Sequence, residues 1–307
     1  MSPSRARAAA AAALVAVEEG AFLDRALRKG DRLAGADARE RSFARRMVRG
    51  VLQMRGRIDW ILERRLERRG PDRLDPWTRN ILRIGIYQIL YLSSVPSHAA
   101  VHETVRVARQ RGGEPAARLV NGVLRRVLRE GPPEGIPSIE EDPVRHLAIQ
   151  ESYPSWLVAR WVARLGTERA ADRLRAGNRT PPLALRVLDE SRVEEVALAF
   201  EREGRKVRRS RLVPEVLLLP EGGVPTALAP FQEGAVIVQD EGAALASTFA
   251  LPLDARARVL DICAAPGGSC SPSRGASPTG PWPSGSTGPS GGWGASGRTG
   301  TASASGT

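Results

Sequence analysis

Lysine is almost missing from this sequence. Only Lys29 and Lys206 occur among its 46 lysines and arginines, so nearly all the positive charge is guanidinium. Acidic residues do not balance it: the 307 residues carry a formal net charge of +12, with a pI near 11.0. That balance favours an anionic partner, either nucleic acid or an acidic membrane surface. Two origins of the arginine bias stand side by side: the codon usage of a GC-rich genome, and selection for bidentate phosphate contact. Cysteine is scarce as well. Cys263 and Cys270 are the only two, which excludes a disulfide framework and a cysteine-rich metal site and suits a reducing cytoplasm. His98 and His102 lie four apart and could share a helix face, but no third ligand accompanies them. They read as surface or packing residues, and no metal is expected. No run reaches the roughly 18–20 apolar residues of a membrane span. The run Ala8–Val17, behind Arg5 and Arg7, has the outline of a short signal peptide. It is mostly alanine, however, and its pattern continues as helix through Phe22 and Leu27, so a cytoplasmic, non-membrane protein is expected.

What is present begins with helical periodicity. Residues 1–130 carry apolar positions at helical spacing: Leu14 and Val17, Leu23 and Leu27, then Phe43, Met47, Val51 and Met54. Ile58, Ile61, Leu62 and Leu66 make a further stretch, and Ile81–Leu90 another. Gly70-Pro71 and Asp75-Pro76 punctuate the series. Val95-Pro96-Ser97 marks a new start, with Ser97 or His98 as N-cap. A last helix over Ala116–Arg129 ends at Gly131-Pro132-Pro133.

Beyond the linker the pattern mixes. His146–Arg164 reads as one helix carrying Trp156 and Trp161, and Arg169–Ala176 as another. Leu183–Val187 and Val216–Leu219 read as strands, with a helix at Val193–Glu203 between them. The basic run Arg205, Lys206, Arg208, Arg209 and Arg211 lies between that helix and the second strand. Val236–Val238 is strand-like, and Gly242–Ala250 a helix with Asp240 or Glu241 at its start, where a carboxylate suits the helix dipole. Arg258–Ile262 is an apolar strand running into Cys263-Ala264-Ala265-Pro266-Gly267-Gly268. From Ser269 the composition turns to Ser, Gly, Pro, Thr and Ala, without Ile, Leu, Val, Met, Phe or Tyr. Such a tail cannot offset its ordering entropy and is expected to be disordered.

A buried strand leading into a glycine-bearing loop is how a doubly wound sheet holds a nucleotide-like cofactor. Gly267 and Gly268 allow backbone amides to approach the ligand, and Asp261 can accept hydrogen bonds or fix the loop. The whole string Val259-Leu260-Asp261-Ile262-Cys263-Ala264-Ala265-Pro266-Gly267-Gly268 is far more specific than its glycines, and it resembles the S-adenosylmethionine-binding loop of RNA cytosine-C5 methyltransferases. Phe231-Gln232-Glu233-Gly234 and Val238-Gln239-Asp240-Glu241 resemble the same family. Within it, the chain is most similar to bacterial 16S ribosomal RNA cytosine-C5 methyltransferases that carry a fused helical domain like the NusB antitermination factor. Arg49-Gly50-Val51-Leu52, Ile81–Leu92, Val95–Val101, Leu119–Arg126 and Tyr153-Pro154-Ser155-Trp156 carry that likeness, which spans residues 5–268.

The resemblance implies S-adenosylmethionine as cofactor, held by Cys263, Ala264, Ala265, Pro266, Gly267, Gly268 and Ser269, with Asp240, Glu241 and Asp261 as further cofactor or substrate contacts. It implies small-subunit ribosomal RNA as partner and a monomer. In the family a Thr-Cys thiolate attacks C6 of cytosine, which makes C5 nucleophilic towards the methyl group. Here the likeness stops at residue 268: Ser269 stands where the family has lysine, and no Pro-Cys or Thr-Cys follows. Cys263 belongs to the cofactor loop and Cys270 to the tail, so no catalytic nucleophile is assigned. A shifted reading frame near residue 269 would account for the change, because off-frame GC-rich DNA yields such residues.

The domain order expected is therefore a NusB-like all-α RNA-binding domain over 1–131, a linker over 132–143 and a small α+β RNA-binding domain over 144–232. The opening of an α/β Rossmann-like methyltransferase domain follows over 233–268, then the tail over 269–307. For Asp240 and Glu241, a helix-start role stands level with a cofactor or substrate role. The arginine pairs at 45–46, 64–65, 68–69 and 125–126 read either as solvated helix faces or as phosphate contacts. The RNA-binding candidates are Arg45, Arg46, Arg125, Arg126, Arg205, Arg208 and Arg209. Trp156 and Trp161 could stack on bases, with core packing the expectation. Three functions follow: an RNA cytosine-C5 methyltransferase that residues 1–307 do not complete, an RNA-binding module alone, or a non-functional fragment.

Overall fold

The computed structural model describes residues 3–28, 35–66, 70–223 and 225–248. They form two compact units, one reaching to Thr180 and one starting at Pro181.

Every regular element among the first unit's described residues is helical. Its helices are α1 (Pro3–Glu18), α2 (Leu23–Arg28), α3 (Ala38–Gln53), α4 (Arg55–Arg65), α5 (Pro76–Tyr91), α6 (Ser97–Glu130), α7 (Pro143–Gln150), α8 (Ser155–Leu165) and α9 (Thr167–Asn178). The alanine run is a core element. Ala6, Ala10, Ala11 and Leu14 of α1 are buried with Met47 and Val51 of α3 and the isoleucines of α5. Small side chains let these helices approach closely, and each larger aliphatic buried among them contributes about 1.5–3 kcal/mol. The helical pattern does not continue through Phe22. Gly20 turns into the left-handed region at φ 95°, its N–H donates to Val17 O at 3.0 Å, and Ala21 N–H reaches Ala16 O at 2.9 Å. That is a Schellman C-cap, and it sets α2 off as a separate helix.

Aspartates start several of these helices. Asp37, Asp75 and Asp142 accept from the backbone N–H of Glu40, Thr78 and Arg145 at 2.7, 3.0 and 2.9 Å. The expected cap at Ser97 or His98 is not used. Pro96 holds the N-cap position with no side-chain bond, and Ser97 is already helical. The single helix expected over His146–Arg164 is two. Ser152 sits at φ 60° and Pro154 follows, a combination that disfavours helix before the proline and separates α7 from α8. A satellite core of Leu147, Val158 and Leu174 joins α7, α8 and α9.

A polar knot ties α1, α4 and α5 together. Arg83 grips Asp59 with two hydrogen bonds of 2.7 and 2.9 Å and also bonds Glu18. Arg79 reaches the same Glu18 carboxylate at 2.8 Å. Deeper still, buried Arg7 donates to Gln88 Oε1 at 2.9 Å, and burial lowers its guanidinium to about 10.

The second unit is built on an antiparallel sheet of β1 (Leu183–Val187), β2 (Arg208–Arg209), β3 (Val216–Leu219) and β4 (Val236–Val238), in the order β2-β3-β1-β4. Helices α10 (Val193–Arg202), α11 (Ala229–Gln232) and α12 (Glu241–Thr248) complete it. Alternation along the strands gives each face its own cover. Leu185, Val187, Leu217, Leu219 and Val236 meet Val196 and Phe200 of α10. Ala184 and Val216 on the other face meet Ala244 of α12. Part of the basic run expected between elements is itself a strand. Arg208 and Arg209 pair with Leu218 and Leu217 at the sheet edge, where charge discourages further strands from adding.

Candidate nucleic-acid interface

The arginine candidates of the sequence separate in three dimensions. Arg45 and Arg46 are exposed on α3, and Arg49, one turn beyond Arg45, extends the same stripe. Five arginines against Glu40 leave this helix strongly basic. Arg125 and Arg126 are neighbours in sequence but differ in engagement. Arg126 bonds Glu130 at 3.0 Å, a carboxylate that Arg129 and Arg126 hold down to about 2 and that Arg65 also reaches at 2.5 Å. Arg125 is exposed and bonds only the neutral amide of Asn121, at 3.0 Å. Among the described residues no carboxylate compensates its charge.

The shape of α6 brings Arg125 into company that the sequence reading did not assign. A straight helix would hold His98 and Leu128 about 45 Å apart at 1.5 Å per residue, yet both line one groove of about 500 Å³. The helix turns back on itself at Gly113, whose φ of 64° and ψ of −163° no helix tolerates. The two arms face each other across Val101, Val105 and Ala117. Arg106, Arg109, Arg118 and Arg125 stand along them, and no lining residue is acidic. Glycine at 112 and 113 followed by Pro115 is the signal that could have located this turn. His98 and His102, read as surface or packing residues, lie on the same groove.

In the second unit the basic run is spread out. Arg205 is half-buried, with a long contact of 3.5 Å to Gly222 O. Lys206 pairs with Glu221 at 3.3 Å, Arg209 pairs with Glu194 of α10, and Arg208 is exposed. Asp240 takes a capping role: its Oδ1 accepts from Gly242 N–H at 2.8 Å, and Glu241 occupies the first turn of α12. Asp261 and the loop from Cys263 to Ser269 lie outside the described residues, as do Arg68 and Arg69. The tryptophans divide. Trp161 packs with Tyr153 at 6.0 Å, under the guanidinium of Arg173 at 4.8 Å. Trp156, expected in a core, is 67% exposed at the start of α8, because its helix buries the opposite face through Val158.

One charged side chain escaped the sequence reading entirely. Arg186 of β1 is 2% exposed and donates to Gln239 Oε1 and Ser247 Oγ, both at 3.3 Å. It pins α12, and the residue preceding Asp240, to the sheet. Its position within the apolar string Leu183–Val187 was the available signal.

Among the described residues no helix is long and apolar enough to cross a membrane. Comparison with known proteins gives the class. The NusB family model matches residues 4–129, and the model described as "Methyltr_RsmF/B-like, ferredoxin-like domain" matches residues 153–225. The chain thus carries, in this order, a NusB domain and this ferredoxin-like domain. Among its relatives is the "Probable ribosomal RNA small subunit methyltransferase B" of Bacillus subtilis, 35% identical over 74% of this chain and 50% of that protein. The "Ribosomal RNA small subunit methyltransferase B" of Pseudomonas putida is 34% identical over 85% of this chain and 58% of its own length. The crystal structure of PH0851 shares the fold, with a TM-score of 0.59 at 23% identity, covering 82% of this chain and 56% of that one. The chain spans about half the length of the curated relatives it matches.

Proposed function

We propose that this chain is the RNA-engaging part, with the opening of the catalytic domain, of a methyltransferase that modifies cytosine C5 in small-subunit ribosomal RNA with S-adenosylmethionine as donor. The observation that carries this is the order of parts. A NusB domain, a ferredoxin-like domain and the string Val259–Gly268 succeed one another in one strongly basic chain. In this reading residues 1–131 and 144–232 bind RNA, and 233–268 lead into the cofactor site. The loop Cys263–Ser269 would contact the donor, with Asp240, Glu241 and Asp261 nearby. The exposed Arg45, Arg46, Arg125 and Arg208 supply phosphate contacts, and Arg126, Arg205 and Arg209, already engaged, supply less. The protein acts in the cytoplasm as a monomer.

Residues 1–307 do not by themselves complete the transfer in this reading. Nucleophilic attack needs a thiolate placed at the reacting base, and neither Cys263 in the loop nor Cys270 after it follows a threonine or a proline. Calorimetric titration with S-adenosylmethionine, run beside a methyl-transfer assay on unmodified small-subunit RNA, tests both halves. With the same RNA as a second titrant, RNA binding that weakens with salt and no methyl transfer is the expected result. Transfer to C5 would overturn the incompleteness and direct attention to Cys270. Failure to bind RNA would overturn the reading as a whole and favour a non-functional fragment. Resequencing the gene tests the shifted frame near residue 269.

A further inference from the structure

We propose that the groove between the two arms of α6 is a single-stranded RNA subsite, taking unstacked bases on its floor and phosphates on its rim. The inference rests on the RNA reading above and adds a place and a strand preference to it. The volume, about 500 Å³, falls in the roughly 300–1,000 Å³ range of sites that enclose small ligands. It admits a base or two and excludes a duplex. Its floor is apolar: Val101 and Ala117 are buried, and Leu128 is left 43% exposed at one end. A duplex presents phosphate and ribose to such a floor and gains nothing from covering it. An unstacked base gains burial of its face, which is how single strands are held where double strands are not.

The charge on the rim is available in unequal shares. Arg106 is paired with Glu103 at 2.9 Å and Arg109 with Glu114 at 2.5 Å. Among the described residues Arg125 bonds the Asn121 amide and no carboxylate. Arg118 is exposed and bonds no carboxylate among the described residues. These two face the groove from the same arm, one near the turn and one two helical turns further along. A backbone running along the arm meets both. Charge complementarity favours a polyanion over any neutral occupant.

The test compares three forms of the full chain: the natural sequence, Arg118→Glu with Arg125→Glu, and a charge-matched control, Arg25→Glu with Arg145→Glu, at exposed positions on α2 and α7. Each is titrated by fluorescence anisotropy with an unstructured labelled RNA of about a dozen nucleotides, and with the same sequence closed into a hairpin duplex. The natural chain is expected to prefer the single strand. The groove variant should lose about tenfold or more in affinity for it, and its log–log salt slope should fall by about 1.4, the share of two phosphates. The control should lose less than about threefold. Circular dichroism checks folding; if the charge reversals unfold the helix, Arg118→Gln with Arg125→Gln replaces them and should show the same ordering at smaller size. Equal losses in the groove variant and the control, or equal binding of strand and duplex by the natural chain, overturn the subsite and leave the RNA reading standing. A natural chain that binds neither RNA overturns both.

Discussion

The hydroxyl of Ser152 accepts a hydrogen bond from the backbone N–H of Gly56 at 2.9 Å, across 96 positions of sequence. It also lies 3.4 Å from the N–H of Arg57. Met54, at the N-cap of α4, has no side-chain oxygen to offer, so a residue between α7 and α8 caps the helix instead. Ser152→Ala is expected to cost about 1 kcal/mol, the usual worth of a cap. Ser152→Gly should cost less, because glycine relaxes the φ of 60° while losing the same bond. Urea unfolding midpoints of the two variants check the ordering.

Gly50 lets α3 lie against α5. A Cβ there would fall 1.9 Å from Cζ of Tyr87, a buried ring stacked on Tyr91 at 5.5 Å. The ring or the helix must shift to make room, so Gly50→Ala should cost about 1–3 kcal/mol by overpacking. Adding Tyr87→Leu should recover part of that loss, since the two sites share one contact. A double-mutant cycle in thermal unfolding measures the coupling, and strict additivity would show that the clash is relieved elsewhere.

Glu18 makes the helical unit sensitive to acid. Burial pushes its carboxyl up, but hydrogen bonds and charges from Arg79 and Arg83 outweigh this and hold it below its ordinary value of 4.5. A carboxyl depressed on folding stabilises the fold above its unfolded-state pKa and loses that contribution as pH falls through the folded one. Glu18→Gln should therefore cost about 1–2 kcal/mol near pH 7. The gap between variant and natural chain should stay constant down to about pH 5 and shrink below it. Denaturant titrations at several pH values read the gap directly; a gap that widens with acid would contradict the assigned sign.

Arg186 is the fastener between the sheet and α12. Arg186→Met keeps most of the volume and loses the bonds to Gln239 and Ser247. Faster amide exchange confined to α12 and the residues before it is the expected result, with exchange in the first unit unchanged. Exchange that is uniform across the second unit would make Arg186 a general core residue rather than a local fastener.

Trp156 separates packing from recognition. Its ring is mostly in solvent, so Trp156→Ala should shift stability by no more than about 0.5 kcal/mol. If the exposed ring instead stacks on a base, affinity for single-stranded RNA should fall about fivefold or more. A stable variant with unaltered RNA affinity would remove Trp156 from the interface.

Much of this protein is legible in its residues. Strands β1, β3 and β4 fall where the apolar runs Leu183–Val187, Val216–Leu219 and Val236–Val238 place them, because short buried strands announce themselves by composition. Helices with strong periodicity, such as α5, do the same, and the likeness to the NusB family and to the methyltransferase relatives was carried by local strings. The string Val259–Gly268, read as a cofactor loop by resemblance, lies outside the described residues.

The helix breaks at Gly20 and Ser152 were harder to read, since each depends on one residue accepting a left-handed conformation inside an otherwise helical pattern. Tertiary structure alone decided which charges matter. Sequence treats Arg125 and Arg126 as equals; the fold gives Arg126 to Glu130 and leaves Arg125 facing a groove. That groove exists only because α6 turns back at Gly113 and sets residues 98–109 against 117–128. The net charge, the domain order and the strings were determined by the sequence, since each is a property of residues close together along the chain. Pairing, capping across 96 positions and the facing of two helical arms depend on distances that the chain acquires only when it folds.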